Sequence, residues 1–209
     1  MTSTHRTLRL AVALAALVVL LPLPPAAAES HEGMDLPADV EAILASITEA
    51  GDKLISLAEA TPADKFSWAP TDEVRTISEV YMHVVGVNLL LPNALGAAPP
   101  EGLEIGDNPF ALMGEWEKTV TAKDDVIAKL KESLHYVHGA LASVKDLDTE
   151  VSLFGPPQSK RAYLLIVMAH AHEHLGQSIA YARTAGVVPP WSQPAPEADG
   201  ADGADAGGQ

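Results

Sequence analysis

The chain has 209 residues, no cysteine, and 28 acidic against 13 basic residues, which gives a formal net charge of −15. Without cysteine it can form no disulfide, lipid-modified cysteine or thiolate, so nitrogen or oxygen atoms must hold any metal ion. The negative charge disfavours binding to nucleic acid and to anionic membranes.

Residues 1–28 have the three parts of a secretory signal peptide. Arg6 and Arg9 precede an apolar run, Leu10–Leu21, and the small residues Ala26-Ala27-Ala28 then offer a cleavage site. Retention as a membrane anchor is the alternative, but a bilayer span needs about 20 apolar residues and this run is shorter. We therefore expect a secreted or periplasmic protein with no stable membrane anchor after cleavage.

The rest of the chain is predicted to form one all-α domain over residues 35–192. In four stretches, apolar residues recur at spacings of three and four, which is typical of helices in a bundle. Residues 193–209 form an acidic tail without large apolar side chains. Because burial cannot offset the entropy of ordering such a segment, we expect the tail to be disordered.

The first two helices have clear boundary signals. The first is predicted to begin near Pro37 and to end at Thr61-Pro62, since the residue before a proline disfavours the helical conformation. The second begins with Thr76-Ile-Ser-Glu79, a capping box in which the hydroxyl and the carboxylate each satisfy a free backbone amide. It should end near Leu91. The inward stripe of the first helix comprises Val40, Ile43, Ile47, Leu54 and Leu57.

The second half of the domain contains a long loop and two long helices. The Gly- and Pro-rich segment 93–108 exceeds the usual length of a bundle connection, so it is either functional or merely mobile. The third helix is predicted to span Glu115–Val144, and the fourth to run from near Ser159 to a stop before Gly186. The inward residues of the third helix are Val120, Ile127, Leu130, Leu134, Val137 and Leu141.

Two histidines of the fourth helix have a spacing suited to metal binding. His170 and His174 lie four residues apart, about 40° around the helix axis, so both imidazoles project from one side. Such a pair can bind one metal ion. The alternative is an inward polar pair that forms hydrogen bonds within itself or to Tyr163 and Tyr181.

His83 lies beside the apolar stripe of the second helix, where a lone histidine is more often a core residue than a ligand. Its position at the edge of the inward face would nevertheless let it meet His170 and His174. Three neutral imidazoles would leave at least one coordination position open, the arrangement associated with catalytic zinc. This spacing would let the three histidines hold one divalent metal ion.

The remaining histidines are weaker candidates. His172 points about 200° away from His170 and is interpreted as a surface or boundary residue. His135 and His138 are expected at the edge of the core. The letters His-Ala-His-Glu-His also fit the signature of inverted zinc peptidases, but no downstream acid suits the third ligand of such an enzyme. Glu173 could bond one of the metal ligands, act as a general base on bound water, or be a solvated acid, and these alternatives stay open.

Several segments together resemble the DinB-like family. Thr61–Pro70, Arg75–Glu79 and His83 resemble the family's first loop, helix start and first ligand. The segment His170–Gln177 resembles its second and third ligands with the Gly-Gln that follows, and Arg183–Trp191 resembles its closing segment. The resemblance implies a four-helix bundle in which His83, His170 and His174 bind one divalent metal ion, usually zinc or nickel. It also implies a homodimer, since many members pair.

The resemblance leaves the reaction open. We expect a metal-dependent hydrolase that uses a metal-bound water on an unknown small-molecule substrate. A noncatalytic metal- or ligand-binding module is the first alternative. A thiol-dependent transferase, as in some members of the family, is the second, and export disfavours it because cytoplasmic thiols are scarce outside the cell.

Overall fold

The computed structural model describes residues 36–194 of the chain, and these residues belong to one compact unit. Short antiparallel strands, β1 (Glu150–Val151) and β2 (Gln158–Ser159), precede the last helix. The predicted signal peptide and the tail beyond residue 194 lie outside the described residues. The helices are α1 (Ala38–Ala60), α2 (Ile77–Ala94), α3 (Pro109–Thr119), α4 (Lys123–Ser143) and α5 (Lys160–Thr184).

The four long helices form a bundle, because α1 and α2 each pack against both α4 and α5. Helix α3 is an addition to this bundle and lies on the outer side of α2. Buried apolar residues from all four long helices fill the interior. The predicted all-α fold and four-helix bundle are therefore confirmed. Among residues 36–194, no helix combines the length and the apolar character that a membrane span requires.

Helix α1 has the predicted limits and the predicted buried face. Pro37 precedes its first residue, and Thr61 is the C-terminal cap. All five residues of the predicted stripe are at most 5% exposed, because their three- and four-residue spacing keeps them on one side of the helix.

The capping box at the start of α2 is also confirmed. The amide of Glu79 donates to Thr76 Oγ1 over 3.3 Å, and the amide of Thr76 donates to Glu79 Oε2 over 2.8 Å. The second carboxylate oxygen, Glu79 Oε1, accepts a hydrogen bond from Lys118 Nζ of α3. The cap therefore also joins the start of α2 to the end of α3.

The prediction of one continuous third helix over Glu115–Val144 is wrong. Helix α3 ends at Thr119 and α4 begins at Lys123, with an extended backbone at Val120 and Ala122. The β-branched pair Val120-Thr121 disfavours the helix, while Asp124 and Asp125 favour a new start at the positive end of the α4 dipole. The break frees α3 to turn onto α2.

Helix α3 approaches α2 closely at a glycine. A Cβ atom at Gly86 would overlap the side chain of Met113, so the missing side chain makes this contact possible. Asn108 caps α3 by accepting a hydrogen bond from the Ala111 amide over 3.1 Å. This packing orients the inner side of α3, which carries Glu117, towards α2.

The long loop begins later than predicted, because α2 continues through Pro92 to Ala94. Leu95 and Ala97 are buried, and Tyr136 of α4 donates a hydrogen bond to the carbonyl of Ala98 over 2.7 Å. The first residues of the loop are thus fixed to the bundle by packing and by one hydrogen bond.

Replacing Thr76 with Ala should lower the free energy of unfolding by roughly 1 kcal/mol, because an amide of the first turn of α2 loses its acceptor. Denaturant unfolding of the two proteins measures this change. Thr184→Ala is the matched control, since Thr184 is exposed and bonds only the preceding turn of α5. Equal losses in the two variants would contradict a stabilising cap at Thr76.

Candidate metal centre

Three histidines from two helices converge inside the bundle. His83 comes from α2, while His170 and His174 come from successive turns of α5. The ring centroid of His83 lies 5.0 Å from that of His170 and 4.9 Å from that of His174. The ring centroids of His170 and His174 are 4.3 Å apart. One nitrogen of each ring lies within 4.8 Å of the others, a spacing at which one metal ion could be held.

Glu117 orients His83. Its Oε1 lies 2.7 Å from His83 Nδ1, and its Oε2 accepts a hydrogen bond from Arg75 Nε over 2.8 Å. Glu117 is only 7% exposed, so its carboxylate is satisfied by these two partners rather than by bulk water. With Nδ1 donating to Glu117, the other ring nitrogen of His83 has a lone pair free for a metal ion.

Gln177 orients His174, as Glu117 orients His83, through a hydrogen bond to Nδ1. The Oε1 atom of Gln177 lies 2.8 Å from His174 Nδ1, and its Nε2 donates to the hydroxyl of Tyr181 over 3.2 Å. Because an amide oxygen only accepts, His174 Nδ1 must carry the proton. The lone pair of His174 Nε2 is then free, as in His83.

His170 differs because its Nε2 is buried and has no hydrogen-bond partner among residues 36–194. An unpaired buried nitrogen is unfavourable, and a bound cation would satisfy it. The predicted alternative of hydrogen bonds to tyrosines does not describe this atom. Tyr163 accepts from the Leu153 amide, and Tyr181 accepts from Gln177. The three side chains therefore suit a metal ion.

The electrostatic environment favours the neutral form of His170 and of His83. Burial, together with the nearby His174, His83 and Arg75, lowers the pKa of His170 to about 3. Burial also lowers the pKa of His83, and Arg75 and His174 contribute in the same direction, although the hydrogen bond to Glu117 opposes the shift. A metal ligand must have an unprotonated nitrogen, so both shifts favour metal binding near neutral pH.

The other candidate residues lie away from this cluster. His172 bonds Ser46 on α1 over 2.9 Å, in agreement with its predicted outward direction. Glu173 and His135 are exposed, so Glu173 is a solvated acid and the expected core-edge position of His135 is wrong. His138 is half-buried. Glu173, the acid in the signature of the inverted zinc peptidases, is therefore not part of the histidine cluster.

Sequence reasoning missed Glu117, and it assigned no role to Arg75 or Gln177. Glu117 lies 34 residues after His83, on a short helix that the sequence did not separate from the next one. A single acid in an amphipathic helix resembles any solvated charge. Gln177 had a usable signal, because its position three residues after His174 places both side chains on one face of α5.

Two cavities flank the histidine cluster. One, of about 300 Å³, is bordered by His83 and His170 and is otherwise lined by apolar residues and Gly86. The other, of about 480 Å³, is lined by polar residues that include Arg75, Glu117 and Gln177. Glu117 and Gln177, which orient His83 and His174, thus line the second, more polar cavity.

Comparison with known proteins identifies the family. The profile of the DinB superfamily matches residues 46–178, which include all three histidines and Glu117. The chain belongs to the DinB superfamily. No curated protein has a significant match.

Solved structures of DinB-like proteins support the same fold. A DinB-like protein from Bacillus cereus ATCC 10987 is 21% identical, with a TM-score of 0.56, and the alignment covers 72% of this chain and 95% of that chain. A DinB-like protein from Bacillus subtilis is 23% identical, with a TM-score of 0.55 and coverage of 74% and 99%. A conserved protein from Enterococcus faecalis is 16% identical, with a TM-score of 0.54 and coverage of 69% and 95%.

The lowered pKa of His170 predicts how stability changes with pH in the metal-free protein. Between pH 6.5, the usual pKa of histidine, and about pH 3, the unfolded chain binds more protons at this residue than the folded chain does. Stability should therefore fall as the pH decreases from 7 to 5, and His170→Gln should reduce this fall by on the order of 1 kcal/mol.

Denaturant unfolding at pH 7 and at pH 5, with a chelator present, measures this difference. The matched control is His172→Gln, which replaces an exposed histidine of the same helix that lies outside the cluster. If the wild type and His170→Gln show the same dependence, His170 is not held neutral by the fold.

Proposed function

We propose that this DinB superfamily member binds one divalent metal ion through His83, His170 and His174 and uses it to hydrolyse a small molecule. The observation that carries the proposal is the buried Nε2 of His170, which has no hydrogen-bond partner in residues 36–194 and belongs to a ring centred 5.0 Å from that of His83 and 4.3 Å from that of His174. Three neutral imidazoles supply fewer ligands than a tetrahedral ion takes, so one position would be left for water or substrate.

Zinc or nickel fits this ligand set best. Imidazole nitrogen suits both ions, whereas magnesium and calcium prefer oxygen ligands. When bound, such an ion supplies Lewis acidity, which polarises a substrate carbonyl and makes water a better nucleophile at neutral pH. The protein itself orients His83 and His174 by hydrogen bonds, favours the unprotonated form of His83 and His170, and provides an apolar cavity beside these last two residues.

Glu117 acts in this proposal as a positioning residue. Its carboxylate is occupied by His83 on one oxygen and by Arg75 on the other, so it fixes the direction of the His83 ring. A carboxylate partner also raises the basicity of a ligating histidine. Because both oxygens are engaged, we do not assign Glu117 as the general base.

A noncatalytic metal-binding module is the second candidate. The observation that favours it is that neither nearby acid is placed to act as a general base. Both carboxylate oxygens of Glu117 accept hydrogen bonds, and Glu173 is exposed and lies outside the cluster. The two functions predict the same metal content and differ only in turnover.

We further propose export to the periplasm or the medium, on the strength of residues 1–28. Exported proteins lack access to the cytoplasmic thiol pool, which favours hydrolysis over a thiol-dependent transfer. We also propose that the protein forms a homodimer and that its substrate is a small molecule.

Metal content should divide the histidine variants into two groups. His83→Ala, His170→Ala and His174→Ala should each lose the bound ion, because each removes one of three ligands. His172→Ala is the matched control and should keep about one ion per chain, since its ring bonds Ser46 and no rotamer carries it around the helix. Elemental analysis of protein purified without an affinity tag gives the stoichiometry. Loss of metal from His172→Ala but not from His83→Ala would refute the site.

Hydrolysis should depend on the same residues. The zinc-loaded protein should hydrolyse activated esters or amides above background, and both a chelator and His170→Ala should abolish this activity while His172→Ala preserves it. Glu117→Gln keeps a hydrogen-bond acceptor but removes the charge, so zinc affinity should fall by roughly 10- to 100-fold in a competition assay. A protein that binds one zinc ion but hydrolyses no ester, amide or thiol conjugate would support the noncatalytic module instead.

A further inference from the structure

The apolar cavity beside His83 and His170 is enclosed by four parts of the fold. Helix α2 forms one wall, α3 and the segment between the two strands form the next two, and α5 forms the last. Its apolar and glycine lining consists of Gly86, Val87, Leu90, Leu91, Ala94, Pro109, Phe110, Met113, Leu153, Phe154 and Ile166.

The composition of this lining determines what it can accept. Apart from the two histidines, no lining residue has a polar side chain. A charged ligand group placed there would lose its hydration and find no partner, which is strongly unfavourable. An uncharged apolar group would instead gain free energy in proportion to the area it buries.

Two phenylalanines make the mouth of the cavity unusual. Phe110 of α3 is 59% exposed and Phe154 of the strand-connecting segment is 57% exposed, although both border the cavity. Their ring centroids are 6.0 Å apart with the rings near an edge-to-face arrangement, and Phe154 also contacts the buried Tyr163 at 5.9 Å. Large apolar side chains exposed as a pair beside an apolar cavity are typical of a ligand-binding site.

The histidines place this cavity against the proposed metal site. His83 has a side chain that is 15% exposed, and His83 and His170 supply the polar side chains of the cavity lining. A ligand that fills the cavity can therefore present one polar group to these imidazoles while the rest of it stays among apolar side chains.

We infer that the substrate is a neutral ester or amide with an extended apolar acyl or aryl group. This apolar group lies in the cavity and contacts Phe110 and Phe154. The inference rests on the proposed function, because the metal ion would bind the polar end of the same molecule. The cavity thus selects a substrate with an apolar chain, and the histidine cluster orients the carbonyl group of that substrate.

A series of alkyl hydroxamates tests this inference, because a hydroxamate binds zinc while its chain samples the cavity. Dissociation constants are measured by calorimetry on the zinc-loaded full-length protein for chains of two, four, six and eight carbons. Affinity should rise by about two- to fourfold per methylene until the cavity is filled. An eight-carbon chain that ends in a carboxylate or an ammonium should bind more weakly than the uncharged one.

The double variant Phe110→Ala, Phe154→Ala should bind the eight-carbon compound at least fivefold more weakly and leave the affinity for the two-carbon compound almost unchanged. The matched control is Leu165→Ala, Val188→Ala, which also removes two exposed apolar side chains but lies outside the cavity. It should bind both compounds like the wild type. Equal affinities across the chain series, or equal effects of the two double variants, would overturn the inference.

A metal-free measurement separates this inference from the proposed function. The uncharged fluorescent probe N-phenyl-1-naphthylamine should bind the chelator-treated protein, and the phenylalanine variant should weaken that binding. If zinc fails to bind while the probe behaves in this way, the metal site is refuted and the apolar cavity is supported. If zinc binds but neither the chain series nor the probe responds, the metal site stands and the apolar substrate class is refuted.

Discussion

The carboxylate of Glu117 is buried at 7% exposure, and much of the site depends on how it is satisfied. A buried charge with no partner would cost several kcal/mol, so the surrounding groups must compensate for it. Arg75 supplies the opposite charge and His83 supplies a ring N–H. These bonds require α3 to lie on α2, and this position is available because the helix breaks after Thr119 and because Gly86 leaves room for Met113.

The same arrangement links the stability of α2 to the geometry of the site. Arg75 directly precedes the helix cap at Thr76, and the cap carboxylate of Glu79 accepts a hydrogen bond from Lys118 on the same short helix as Glu117. Two ionic contacts therefore fix α3 to the first turn of α2, at 2.8 Å and 2.5 Å. The Lys118 contact is exposed at its lysine and contributes little by itself. The part-buried hydrogen bonds of Glu117 to Arg75 and His83 set the direction of the first histidine.

Two cavities of different character lie near the histidine cluster. Glu117 and Gln177, which bond the Nδ1 atoms of His83 and His174, line one cavity together with mostly polar residues. His83 and His170 themselves border the other cavity, whose remaining lining is apolar. The residues that orient the histidines are thus different from those that line the apolar cavity. In the proposed function, this separation lets the protein tune the imidazoles without placing charges in the substrate cavity.

The sequence by itself determined the features that depend on neighbours along the chain. It predicted the limits of α1, the capping box of α2, the all-α class, and the common direction of His170 and His174 opposite to His172. Each of these follows from helical periodicity or from backbone amides a few residues away. The break between α3 and α4 has local signals at Val120-Thr121 and Asp124-Asp125, but the unbroken apolar periodicity masked them. Only the tertiary structure decided that Glu117 bonds His83 and which residues line the apolar cavity. Periodicity states which side of a helix is buried but not which helix covers it, and no local pattern relates residues 34 positions apart.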